Sequence, residues 1–259
     1  MALAQAARNS RLCVGIDPDI NRMPAGLEAT PADFERFVRE IIAATADQAC
    51  AFKFNLAFFE RLGGAGLDIL QRCAADVPRD IPTIADAKRG DIGNTAEAYA
   101  EAYLGAMDFD SITINAYMGR DAVMPFITRP GKLAFVLAHT SNPGAADFQY
   151  WNQDGQRLYN EVVRRCREWA AEAEGECGFV VGATRAAVIA EVRESAPSQP
   201  LLIPGVGTQG GDPAAVVAAN GTEGLCLVNV SRGIMYASSA GDYSTAAAAA
   251  ARGFRESLN

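Results

Sequence analysis

Pro82-Thr-Ile-Ala-Asp-Ala-Lys88-Arg-Gly-Asp91-Ile-Gly-Asn-Thr95 reads as one structural unit. A short apolar run ends in alternating charge, passes a Gly-containing turn, and enters Asn94 to Met107, which is rich in Ala, Glu and Tyr. That is a buried strand, a loop and a helix. The same unit recurs along the chain. Strand-like runs lie at Leu12–Asp17, Ala51–Leu56, Pro82–Lys88, Ser111–Tyr117, Leu133–Ala138, Gly178–Gly182, Leu201–Gly205 and Leu225–Val230. Helical patterns fall between them. Pro31 to Ala49 starts after Thr30, an N-cap residue type, with proline at the first helical position. Asp154 to Ala173 carries Leu158, Val162 and Cys166 at helical spacing, Asp212-Pro213 opens another helix, and Thr245 to Phe254 is alanine-rich. Continuous apolar strands alternating with helices imply a parallel sheet covered on both faces. Eight such units in 259 residues predict an α/β fold, a closed (β/α)8 TIM barrel, as a single domain over residues 1–259. An open doubly wound sheet is the alternative. The longest irregular stretch is Ser141 to Gln153, of a length that often serves as a lid.

The chain is 49% hydrophobic, with a net charge of −8. An acidic surface disfavours nucleic acid and anionic membranes as partners, but leaves room for a locally basic site for a small anion. No apolar run approaches the ~18 residues of a membrane span, and Met1 to Asn9 lacks the pattern of a signal peptide. A cytoplasmic location is expected. The six cysteines form no C-x-x-C pair and His139 is the only histidine, so a Cys/His metal site is not expected. The cysteines read as reduced and buried.

In such a barrel the chemistry sits at the C-terminal ends of the strands. Those ends supply Asp17, then Lys53, then Asp86, Lys88 and Asp91, and later Thr140-Ser141-Asn142, Gln209 and Ser231-Arg232. Asp86 and Lys88 lie two apart on a strand and are expected to share one face. Lys53 would complete an alternating Lys-Asp-Lys-Asp array whose opposite charges compensate one another's burial. Read alone, D-x-K-x-x-D fits equally an ion network that stabilises the barrel mouth. Lys53 and Asp17 beside it favour a site for a polar ligand. Gly205, Gly207, Gly210 and Gly211 fit either a tight turn or a backbone anion site.

Asp86-Ala-Lys88-Arg-Gly-Asp91-Ile92 resembles the D-x-K-x-x-D-I signature of the orotidine 5′-phosphate decarboxylase family. Val14-Gly-Ile-Asp17-Pro-Asp resembles its first-strand aspartate, and Phe52-Lys53-Phe-Asn its second-strand lysine. Thr140-Ser141-Asn142-Pro-Gly resembles its pyrimidine loop, in the longer bacterial branch of the family. Pro204-Gly-Val-Gly-Thr-Gln209-Gly-Gly and Asn229-Val-Ser-Arg232-Gly resemble its phosphate-binding elements. The matches run in order from residue 12 to residue 233.

The resemblance implies decarboxylation of orotidine 5′-phosphate to uridine 5′-phosphate with no metal and no organic cofactor. It implies that Lys88 protonates C6, that Asp86 lies near the substrate carboxylate and holds Lys88, and that Lys53 and Asp17 bind ribose hydroxyls. It further implies that Asp91 and Thr95 reach the site of a partner subunit in a homodimer. Ser141 would contact the pyrimidine, and Gln209 and Arg232 the phosphate. His139 would play a supporting or solvent-facing role, while Tyr150 and Trp151 would shape the long loop. Two alternatives stand beside this: a magnesium-dependent sugar-phosphate decarboxylase or aldolase of the same superfamily, which carries glutamate where this chain has Lys53, and a catalytically silent phosphate-binding barrel.

Overall fold

A computed structural model describes residues 1–207, 210–221 and 224–259. Its eight long strands are β1 (Leu12–Ile16), β2 (Ala51–Asn55), β3 (Thr83–Arg89), β4 (Ser111–Ile114), β5 (Leu133–His139), β8 (Glu176–Val181), β9 (Leu201–Pro204) and β10 (Cys226–Val230). They join in the cyclic order β1-β10-β9-β8-β5-β4-β3-β2, a closed barrel. Two short strands, β6 (Asn152–Gln153) and β7 (Gln156–Arg157), pair separately as a hairpin. The helices are α1 (Ala2–Arg8), α2 (Pro31–Thr45), α3 (Leu56–Glu60), α4 (Gly63–Ala75), α5 (Gly93–Ala100), α6 (Arg120–Ile127), α7 (Leu158–Ala170), α8 (Ala186–Ser195), α9 (Pro213–Asn220), α10 (Arg232–Met235) and α11 (Tyr243–Leu258).

The chain divides into two compact units, residues 1–86 with 228–259, and residues 87–227. In the first, β1, β2 and the start of β3 run parallel, with Gly15 opposite Lys53 and Asn55 opposite Asp86. Every residue of β1 is buried. The expected cap of α2 is present: the Thr30 hydroxyl accepts the Asp33 amide at 3.2 Å, with Pro31 next to it. The buried face of α2 presents Phe34, Phe37, Val38, Ile41 and Ile42, and Phe34 meets Phe59 edge to face at 5.5 Å. In the second unit, β4, β5, β8 and β9 carry the parallel ladder, with Ile114 opposite Val136 and Val136 opposite Phe179. All six cysteines are free and buried, as expected.

Several elements differ from the sequence expectation; the helix expected over Pro31 to Ala49 ends at Thr45, and the one expected over Thr245 to Phe254 runs from Tyr243 to Leu258. The fourth strand stops at Ile114, because the Asn115 side chain accepts the Tyr117 amide at 3.0 Å and turns the chain. The helix expected from Asp154 starts at Leu158. Asp154 and Gly155 both have positive φ, 53° and 85°, and form the turn of the β6–β7 hairpin. The helix expected over Asn94 to Met107 keeps its extent but widens into a π-helical segment at Glu101–Ala106, which buries the consecutive residues Tyr103 and Leu104.

Candidate active site

The strand ends of the first unit bring three predicted residues together. Lys53 projects from β2 and is 3% exposed, and its ammonium lies 2.7 Å from an Asp86 carboxylate oxygen on β3. Asp17, one residue past β1, lies 3.7 Å away on the other side. Parallel register dictates this convergence. Gly15 pairs with Lys53, and Lys53 with Ile84, so residues a step further along β1 and β3 flank the lysine. Burial alone pulls the Lys53 ammonium toward the neutral amine. Asp86 and then Asp17 reverse that sign, and its pKa is raised above the ordinary lysine value. The ammonium is therefore a fixed positive charge. Asp17 Oδ1 is buried and has no hydrogen-bond partner, leaving an acceptor available to a ligand hydroxyl.

Lys88 and Asp91 follow on the same stretch of chain, in the second unit. Lys88 is exposed and does not continue the plain strand alternation that the sequence suggested: its φ is 49°, in the left-handed region. A non-glycine residue there costs on the order of 1–3 kcal/mol and persists only where its surroundings hold it. Its amide donates to the Thr113 hydroxyl at 3.0 Å. The Asp91 carboxylate accepts the Ile92 amide at 2.8 Å, and Thr95 lies exposed in the first turn of α5. Gly90 is required where it stands, since a Cβ would sit 2.8 Å from the Asn115 carbonyl oxygen.

Ser141 follows β5. Gly182, after β8, lets it approach, because a Cβ there would lie 2.8 Å from the Ser141 amide nitrogen. The loop around it is tied at several points. Gln149 accepts the Thr140 amide at 2.8 Å and donates to the Thr140 hydroxyl at 2.8 Å. His139 Nε2 shares a 2.9 Å hydrogen bond with the Tyr150 hydroxyl, and the His139, Tyr150 and Tyr159 rings meet edge to face. Tyr159 donates to Glu191 at 2.5 Å. Burial pushes the His139 imidazole below its usual pKa, and the guanidiniums of Arg185 and Arg157 push the same way. His139 is buried and tied to Tyr150 of the loop, whereas Trp151 is 70% exposed.

Arg232 is exposed at the first position of α10, immediately after β10. Gln209 lies outside the described residues. Thr113, Gln149 and Gly182 escaped the sequence reading, since a threonine within an apolar strand, a loop glutamine and a glycine after a strand are each unremarkable until the fold juxtaposes them. Among the described residues, no group of three or more His, Cys, Asp and Glu side chains could hold a metal ion. No helix among the described residues is long and apolar enough to cross a membrane.

Residues 10–249 match the orotidine 5′-phosphate decarboxylase / HUMPS family. An orotidine 5′-phosphate decarboxylase of Herpetosiphon aurantiacus is 42% identical over 99% of this chain and 96% of its own. One from an Azoarcus species is 45% identical over 97% and 94%. The solved OMP decarboxylase of Leishmania donovani superposes with a TM-score of 0.84 at 35% identity, over 99% of this chain and 96% of that one. A barrel closed in the expected order and full-length likeness to these proteins converge on one assignment: the chain belongs to the orotidine 5′-phosphate decarboxylase / HUMPS family.

Proposed function

We propose that this chain decarboxylates orotidine 5′-phosphate to uridine 5′-phosphate in pyrimidine biosynthesis, as a carboxy-lyase formed by one catalytic domain. The family name covers sugar-phosphate enzymes as well. The observation that favours the decarboxylase is the buried Asp17–Lys53–Asp86 set: an ammonium lies between the two carboxylates that a divalent cation would need. The names of the full-length relatives point the same way.

The C6–carboxylate bond breaks, carbon dioxide leaves, and the electron pair remains on C6. The Lys88 ammonium stabilises that developing charge and then gives its proton to C6. Neutral Lys88 recovers a proton from water. Asp86 holds Lys88 in place beside the departing carboxylate. Lys53 and Asp17 bind ribose hydroxyls, and an Asp17 Oδ1 without a hydrogen-bond partner suits that role. Ser141 meets the pyrimidine edge. Arg232, with Gln209, holds the phosphate through a fork of donors. Six reduced cysteines suit a cytoplasmic enzyme.

The active unit is a homodimer with shared sites, each subunit lending Asp91 and Thr95 to the other. Exposed Ile92, Tyr117 and Met118 supply apolar surface on the loops around Asp91. Adding purified protein to orotidine 5′-phosphate should yield uridine 5′-phosphate and carbon dioxide in equal amounts. Failure to do so would remove the reading. Mixing inactive Lys88→Ala and Asp91→Ala proteins should restore activity at about a quarter of the sites, because half of randomly reassorted dimers are mixed and one site in each is intact. Subunit exchange without recovery would place Asp91 in its own chain's site.

A further inference from the structure

We infer that Thr113 is a positioning residue for Lys88: its hydroxyl accepts the Lys88 amide and holds that residue in the left-handed backbone conformation from which the side chain leaves β3. The inference rests on the reading of Lys88 as proton donor.

Among the described residues, four non-glycine positions have positive φ: Asn9, Lys88, Asp108 and Asp154. Three are Asn or Asp, whose short polar side chains bond locally and make that region accessible. Asn9 ends α1 and Asp154 makes a hairpin turn. Of these four, only Lys88 has a long aliphatic side chain in place of the short polar one of Asn or Asp, and only Lys88 lies within a strand. A lysine does not favour that region by itself, and its amide is held by a residue of another strand.

The neighbouring strand end supplies that constraint. Thr113 on β4 is 1% exposed, so its hydroxyl has a fixed setting, and it lies 3.0 Å from the Lys88 nitrogen. One residue later, the Arg89 carbonyl accepts the Asn115 amide at 2.7 Å. Gly90 then packs directly against the Asn115 carbonyl. Three consecutive backbone positions are pinned to β4 and the turn after it, and at Lys88 the pin is a side chain. A hydroxyl stands farther from its own backbone than a carbonyl oxygen does, so it meets an amide that has rotated away from a regular ladder. Removing it frees Lys88 to relax toward ordinary strand geometry, carrying the ammonium away from the reacting carbon.

Proton transfer is sensitive to such shifts: a misplacement near 1 Å can cost about a hundredfold in rate. Thr113→Val keeps the shape and deletes the acceptor. Its kcat should fall about ten- to a hundredfold, while uridine 5′-phosphate binds with unchanged affinity, because the ribose and phosphate contacts do not involve Lys88. Thr113→Ser restores the hydroxyl and should recover most of kcat. A residue that only stabilised the fold would lower the melting temperature and leave kcat alone. If the valine variant does not fold, Thr113→Cys fills similar volume with a weaker acceptor and should show the same selective loss of kcat. Full kcat in whichever of these variants folds, with Lys88→Ala inactive, overturns the role of Thr113 and leaves that of Lys88 intact. Full turnover in Lys88→Ala overturns both.

Discussion

The Asp17–Lys53–Asp86 set and the segment from His139 to Tyr150 are held by different physics. The first is built from formal charges on adjacent strands, with almost no exposure at Lys53 and Asp86. The second is a loop whose hydrogen bonds join neutral groups, Gln149 on Thr140 and Tyr150 on His139, with Arg157 and Arg185 over the Tyr150 ring at 5.4 and 5.3 Å. Buried charges are costly unless paired, so removing one leaves the others stranded in a poor environment. Neutral hydrogen bonds trade against water and contribute about 1 kcal/mol each. The strand ends should accordingly be intolerant and the loop graded in its response. The difference suits their proposed tasks, a fixed electrostatic site and a segment that closes over a base.

The largest effect should come from the proposed proton donor. Lys88→Ala should lower turnover by at least the ~10²–10⁴ of a general acid, with the circular dichroism spectrum retained. Near-native turnover would remove Lys88 from the chemistry. Next comes Lys53→Ala, which leaves Asp17 and Asp86 without their cation. Denaturant unfolding should show a loss of about 3–5 kcal/mol. An equal loss in Gln149→Ala would erase the contrast between charged strand ends and neutral loop, since that variant should lose about 1 kcal/mol per bond.

Arg232→Ala should weaken uridine 5′-phosphate binding by about 1.5–3 kcal/mol, one to two decades, as measured by calorimetry. The nucleoside without phosphate should barely notice the change, and equal losses for both would move Arg232 away from the phosphate. The smallest effect concerns pH and belongs to the loop. Folded His139 has a depressed pKa, so the unfolded chain takes up its proton first. The stability tied to the neutral imidazole is complete above its unfolded value near 6.5 and should decline as pH falls below it. Melting temperatures from pH 7.5 to 5.5 should drop more in wild type than in His139→Gln. Parallel curves would show that His139 does not couple the loop to protons.

The same contrast explains what the sequence made legible. Charged residues at the ends of apolar strands are anomalies, and parallel pairing leaves them few places to point, so Asp17, Lys53 and Asp86 could be brought together before any coordinates. The left-handed turn at Lys88 could not, because D-x-K on a strand implies plain alternation and the hydroxyl that breaks it comes from Thr113, 25 residues later. The β6–β7 hairpin carried a usable cue in Asp154-Gly155, but the helical spacing of the following residues masked it. The ties of the long loop join an amide or a ring to partners at separations that no periodicity marks.

One measurement addresses the central claim of metal-free decarboxylation at this site. Protein dialysed exhaustively against a chelator is mixed with orotidine 5′-phosphate while the pyrimidine absorbance is followed. Complete conversion to uridine 5′-phosphate, at a rate unchanged by added magnesium, is the expected result, because Lys53 already neutralises the carboxylates a cation would bind. An unchanged absorbance, or turnover that appears only with magnesium, would contradict the account.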